Sequence, residues 1–138
     1  MRPVIRPAFR PPARIRRPTM RVMVIGASTN PHKFGNKAVR AYLRQHHDVF
    51  PVNPRAKTIE NLTCYPDVTQ PPGPIDRALF YLPPALGLTV LDALHQRRDV
   101  AELWFNPGSE SPQLIAKANS LGFEPIQSCA IIDIGETP

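Results

Sequence analysis

The sequence predicts an α/β fold: a doubly wound, mainly parallel five-stranded sheet with helices on both faces. Three observations carry that expectation. Strand-like and helix-like segments alternate along the chain, which implies a parallel sheet covered on both sides. Right-handed crossovers then wind it as a Rossmann-like sheet. The apolar run at residues 22–25 turns through Gly26-Ala27-Ser28 towards a helical pattern opened by Gly35-Asn36, and a buried strand passing through glycine into a helix start builds a phosphate cradle. Finally, 138 residues give room for one domain with a real core and little more.

The elements follow in order. The first strand is 22–25. The first helix covers roughly 36–45, with Ala38, Val39, Tyr42 and Leu43 on one face. The second strand lies near 48–52. Pro51 falls inside it and cannot donate a ladder hydrogen bond, so a bulge or a locally exposed edge is expected there. A turn-rich loop with Pro66, Pro71, Pro72, Gly73 and Pro74 leads to the third strand, 78–82. The second helix begins near Pro84, tolerated in a first turn, with Leu86, Val90, Leu91 and Leu94 as its inward stripe. The fourth strand is 102–105, where Trp104 and Phe105 face opposite sides of the sheet and belong to its cores. The third helix has a clear start and stop: Ser111 as N-cap, Pro112 at the first helical position, Gly122 beyond the end. The fifth strand is near 125–127, and no internal repeat appears.

Charge divides the chain into an extension, 1–20, and a domain, 21–138. Residues 1–21 carry seven arginines and no acid, whereas the remainder carries 10 basic and 11 acidic residues. The formal net charge of +6 therefore belongs to the extension, and a nucleic-acid reading would rest on that arm alone. Pro3, Pro7, Pro11, Pro12 and Pro18 block a regular helix, and few apolar residues with high charge argue for disorder. The arm lacks the serines of a transit peptide. An unstructured extension is the preferred reading, since Met20 sits directly before the first strand. No apolar stretch approaches membrane-spanning length, and no secretory pattern appears. Cys64 and Cys129 fit no close-spaced metal pattern. A reduced, cytoplasmic setting without a metal site is expected.

In such sheets ligands sit beyond the carboxyl ends of the strands, where strand order reverses. The first of those loops is the phosphate candidate. Gly26 permits close backbone approach, Ser28 and Thr29 supply hydroxyls, and Lys33 and Lys37 supply charge near a helix start that Asn36 helps to open. Alone the loop says little: an ordinary strand-to-helix turn also favours glycine, and the full G-x-G-x-x-G spacing is absent. The second loop discriminates between ligands. An NAD site places Asp or Glu at this strand end, but the chain reads Asn53-Pro54-Arg55-Ala56-Lys57. Arg55 and Lys57 suit an extra phosphate on the ribose, which NADP and coenzyme A both carry. Two solvated surface charges are the plainer alternative.

Five pieces in order, VIGASTNPHKFGNKAVRAYL, VFPVNPRAKTIENLTCYPDV, DRALFYLPP, ELWFNPGSES and PIQSCAIIDIG, span about residues 20–135. Together they resemble the small bacterial and archaeal coenzyme A-binding proteins, whose fold is similar to the coenzyme A-binding domain of the succinyl-CoA synthetase alpha subunit. The resemblance implies coenzyme A bound across the strand ends. It implies Gly26, Ala27, Ser28 and Thr29 as the pyrophosphate loop, and Asn53, Pro54 and Arg55 as the turn beside the adenosine 3′-phosphate. It implies Leu82 and Pro83 as the turn flanking the nucleotide, and Asn106 and Pro107 as the wall nearer the pantetheine arm. The extension has no counterpart in that pattern. The synthetase needs a second domain with a phosphorylated histidine and a partner subunit; this chain ends at Pro138, so acyl-phosphate chemistry is not expected to carry over.

No catalytic set emerges. His32, His46, His47 and His95 form no H-x-x-H arrangement. Cys129 is expected at a strand end on the ligand side, where disulfide exchange with the coenzyme thiol competes with a plain buried cysteine. Asp133 caps a terminal turn or meets ligand. The expectation is a module that binds coenzyme A or an acyl-CoA, storing, sensing or presenting it to a protein partner, without catalysis of its own. The rivals are an NADP-dependent reductase in a minimal shell, weakened by the missing second glycine, and a nucleic-acid-binding protein acting through the arm.

Overall fold

A computed structural model describes residues 18–138; nearly all of the basic extension lies outside the described residues. The chain runs β1 (Arg21–Ile25), α1 (Phe34–Arg44), β2 (Asp48–Val52), β3 (Thr58–Ile59), β4 (Leu62–Thr63), β5 (Ile75–Phe80), α2 (Pro84–Arg97), β6 (Val100–Phe105), α3 (Pro112–Ser120), β7 (Ile126–Gln127) and α4 (Ala130–Asp133). Five strands form one sheet in the order β2-β1-β5-β6-β7, parallel throughout. The α/β, Rossmann-like expectation is met.

Alternating side chains send each strand into two cores. Val22, Val24, Leu79 and Trp104 pack with Ala38, Val39 and Tyr42 of α1 and with Ile131 and Ile134 around α4. Met23, Ile25, Phe80 and Phe105 pack with Leu91 and Leu94 of α2 and with Leu114 and Ala118 of α3. Adjacent Trp104 and Phe105 thus enter opposite cores, and Phe105 meets Phe80 edge-to-face with ring centroids 4.9 Å apart. The stripe read from the sequence for α2 holds at Leu91 and Leu94, which are buried, and at Val90, which packs partly buried on the same core; it fails at Leu86, which is exposed, while Gly87 faces inward close to Leu114 of α3.

Pro51 lies on β2, an edge strand of the sheet, without a bulge, but the edge is not exposed there: Pro51 is buried and its neighbour Val52 is bridged by Tyr65. Register runs unbroken from Arg21 opposite Asp48 to Ile25 opposite Val52. The Pro51 carbonyl turns outward and accepts from Tyr65 N at 2.9 Å; the missing donor falls on that same outer side, where β1 does not need it. The hairpin β3–β4 was not anticipated. Its turn residues, Glu60 and Asn61, both have positive φ, a type I′ turn without the usual glycine. The proline-rich loop before β5 is held by two arginines: Arg21 donates to the carbonyls of Pro72 and Pro74, and Arg97 to those of Val68 and Pro71.

The last element, α4, is bound to the sheet by charge. Arg77 of β5 pairs with Asp133 at 2.7 Å and Glu102 at 3.1 Å, donates to the Tyr42 hydroxyl, and lies 4.6 Å over the Trp104 ring. Asp133 is therefore engaged by the scaffold.

Candidate functional site

From β1 the chain crosses to β2 on one side and later to β5 on the other. Order reverses between β1 and β5, so a crevice opens at their carboxyl ends. Gly26 closes its floor. Its φ is +87°, and a Cβ there would meet the carbonyl oxygen of Tyr81, just past β5, at 2.7 Å. A Cβ on Gly35 would lie 2.2 Å from the Gly26 oxygen, so α1 begins pressed against the loop. Lys33, the N-cap of α1, makes no capping hydrogen bond, and the first turn holds no acid. This helix start offers its amide donors to an anion without competition from a side chain.

Three asparagines brace the loops. Asn36 donates to the Ser28 carbonyl at 2.8 Å and to Glu60 Oε1 at 3.2 Å, while accepting from Arg40. Asn53 donates to the Ala27 carbonyl at 2.9 Å and accepts from the amides of Arg55 and Ala56. Asn106 donates to the Phe80 carbonyl at 3.0 Å and accepts from Ala130 N at 2.9 Å. Each ties one strand end to another segment. Ser28 Oγ accepts from Asn30 N at 3.0 Å, which leaves its proton free to be donated elsewhere.

Two cavities open at this end of the sheet. The larger, about 930 Å³, is lined by Gly26, Ala27, Ser28, Lys33, Asn53, Leu82, Pro83, Asn106 and Pro107 among the sequence-predicted residues. The smaller, about 520 Å³, is lined by Pro54 and again by Gly26, Asn53 and Leu82, so the two meet where strand order reverses. Thr29, Asn36, Lys37 and Arg55 line neither cavity. Lys37 instead places its ammonium 4.9 Å over the Phe34 ring.

His32 and Cys129 both line the larger cavity. Sequence reasoning passed over Tyr81, Phe34, Ile131 and Ile132 on its wall, and Asp67, Thr69 and Thr89 in the smaller one. Tyr81 was within reach, since it directly follows β5 and so obeys the same strand-end rule. Its hydroxyl is buried without a hydrogen-bond partner among the described residues. Burial pushes that phenol far above its ordinary range, and the neighbouring Cys129 thiol acts in the same direction.

A family model described as a CoA binding domain matches residues 20–134. The chain belongs to this family. Among solved structures, this CoA-binding domain is similar to a conserved hypothetical protein from Pyrococcus furiosus, at 33% identity and a TM-score of 0.76, over 83% of this chain and 98% of that one. It is also similar to the dinucleotide forming acetyl-coenzyme A synthetase 1 of Ca. Korarchaeum cryptofilum, solved with phosphate and ADP, at 28% identity and a TM-score of 0.69. That match covers 79% of this chain but 25% of the synthetase: the CoA-binding domain corresponds to about a quarter of it. A hypothetical protein from Pyrococcus horikoshii OT3 shares the fold, with a TM-score of 0.78 at 22% identity over 86% and 83% of the two chains. Among the described residues, no helix of this domain is long and apolar enough to cross a membrane, and no cluster of His, Cys, Asp or Glu is placed to hold a metal ion.

Proposed function

We propose that the protein binds coenzyme A across the carboxyl ends of β1, β5 and β6, and holds or presents it rather than transforming it. One observation carries the reading: two cavities meet at Gly26 and Leu82, on the line where strand order reverses. In this reading the diphosphate lies on the Gly26–Ser28 turn and the uncapped start of α1. The adenosine enters the smaller cavity beside Pro54, and the pantetheine arm crosses the larger one past Pro83, Asn106 and Pro107. Arg55, on the exposed turn after β2, meets the 3′-phosphate. The strand-two turn has no acid for a ribose 2′-hydroxyl, which favours coenzyme A over NAD.

Isothermal titration of the full chain with coenzyme A and NADPH tests it. Saturable one-to-one binding of coenzyme A with little heat from NADPH is the expected outcome. Tight binding of NADPH with silence towards coenzyme A would reverse the reading in favour of a minimal reductase.

A further inference from the structure

The smaller cavity holds a charge that the reading above leaves unused. Among the residues that line it, Asp67 alone is charged. No lysine or arginine lines this space, so it repels a phosphate and suits an uncharged group. Asp67 Oδ1 accepts from the Thr69 amide at 2.8 Å and from the Thr69 hydroxyl. Those two bonds, the hydroxyl's first, hold the carboxyl below its usual range, so it is ionised at neutral pH. Oδ2 accepts from no group among the described residues.

The next residue continues the pattern. Val68 is buried and lines the same cavity, and its amide donates to no group among the described residues. The other polar side chains there are engaged with the protein: Thr69 donates to Asp67, Thr89 to the Leu86 carbonyl at 2.6 Å, and Asn53 to the Ala27 carbonyl. An acceptor and a donor on consecutive residues therefore stand without partners beside the apolar walls of Val52, Leu82 and Val90. A buried amide left unpaired costs about 1–3 kcal/mol, which a ligand with the opposite pattern relieves.

The coenzyme A reading, on which this step rests, brings the adenosine to this cavity. Adenine carries a donor, its 6-amino group, beside an acceptor, N1. Hypoxanthine and guanine carry the reverse, an oxygen beside an N–H. We propose that Asp67 and Val68 read the base: Asp67 Oδ2 accepts from the 6-amino group and the Val68 amide donates to N1, which selects adenine over 6-oxopurines. A 6-oxopurine in the same place would set oxygen against carboxylate and N–H against N–H. A site built to pair with a polar edge rejects the edge that leaves its own groups unpaired.

Titration of the full chain with coenzyme A and with its deaminated analogue, in which hypoxanthine replaces adenine, tests the proposal. Coenzyme A is expected to bind at least about tenfold tighter, since hydrogen bonds to charged groups are the strong ones. In Asp67→Asn the side-chain oxygen keeps the Thr69 bonds and the nitrogen takes the place of Oδ2. Each base then meets one matched and one mismatched group, so the ratio is expected to fall below about threefold. Asp67 is exposed and Asn has the same shape, and a ratio of two ligands on one variant does not depend on its stability. Equal affinity of the wild-type chain for both ligands would overturn the proposal and leave the coenzyme A reading standing. So would an Asp67→Asn variant that keeps the wild-type ratio. Failure of both ligands to bind the wild-type chain would overturn the underlying reading itself.

Discussion

Gly26 answers two demands at once, a positive φ and a backbone oxygen within 2.7 Å of where a Cβ would stand, and only glycine meets both. Tyr81, which supplies that oxygen, shows the opposite economy: its ring fills space while its buried hydroxyl has no partner. Removing an unsatisfied hydroxyl relieves a desolvation penalty without opening a large void. Tyr81→Phe is therefore expected to stabilise the ligand-free protein by about 1 kcal/mol, read as a higher urea midpoint at unchanged slope; a lower midpoint would mean that the hydroxyl is satisfied after all. Arg55 poses a different question, because it is exposed and lines neither cavity. A solvent-exposed charge pair is worth about 0.2–1 kcal/mol. Arg55→Ala should thus weaken coenzyme A binding by about 1.4- to fivefold and leave dephospho-coenzyme A unaffected. Equal losses for both ligands, measured by titration, would remove Arg55 from the 3′-phosphate.

At the scale of elements, α4 is too short to hold itself together and is instead strapped down. Its carbonyl at Ala130 accepts from Tyr42 at 2.8 Å, Gln45 donates to the Ile134 carbonyl at 2.6 Å, and Arg44 pairs with Glu136 at 2.6 Å. The Gln45 and Arg44 hydrogen bonds hold the Glu136 carboxyl below its usual 4.5, in that order of importance. A carboxyl depressed in the folded state contributes stability that is fully present above its unfolded pKa and is lost as pH falls through the folded one. Acidification below about pH 4.5 is therefore expected to raise amide exchange at residues 130–136 before it reaches β1 or β5. Simultaneous loss of protection everywhere would show that the strap does not open on its own. This same segment marks the limit of what the sequence reveals. Four residues carry no periodicity, and the partners of α4 lie some 90 positions away in the chain. By contrast α3 announced itself through Ser111, whose side chain accepts from Leu114 N, and through Gly122 at φ +91°, because caps are local chemistry. β1 was legible for a similar reason, its buried run ending in glycine. The asparagines fall between these cases. Their presence at two strand ends and at the start of α1 was plain, yet a side-chain amide reads alike whether it will meet a ligand or a backbone carbonyl, and Asn36, Asn53 and Asn106 all reach backbone carbonyls.

For the whole molecule, charge and site are separate. The surplus of positive charge sits in residues 1–21, while the rest of the chain is nearly balanced. Coenzyme A is strongly anionic, so two sources of attraction compete as explanations of any affinity: the arm, acting at long range and screened by salt over about 10 Å at 0.1 M, and the switch-point cradle, acting by contact. The cradle is built from backbone geometry within the sheet domain, namely Gly26 against Tyr81 and Gly35 against Gly26. A ligand that binds only the folded state stabilises it by about 2.7 kcal/mol at a hundred times its Kd. For a domain of this size that corresponds to a rise in Tm of about 8–14 °C. The expectation is that coenzyme A produces this rise equally in the full chain and in a chain beginning at Pro18, at both low and physiological salt. A rise that vanishes with the arm, or that salt abolishes, would locate the binding in the arginines rather than in the sheet. A rise that survives both would leave the carboxyl ends of β1 and β5 as its source, because no other part of the described chain joins two cavities at a glycine-floored helix start.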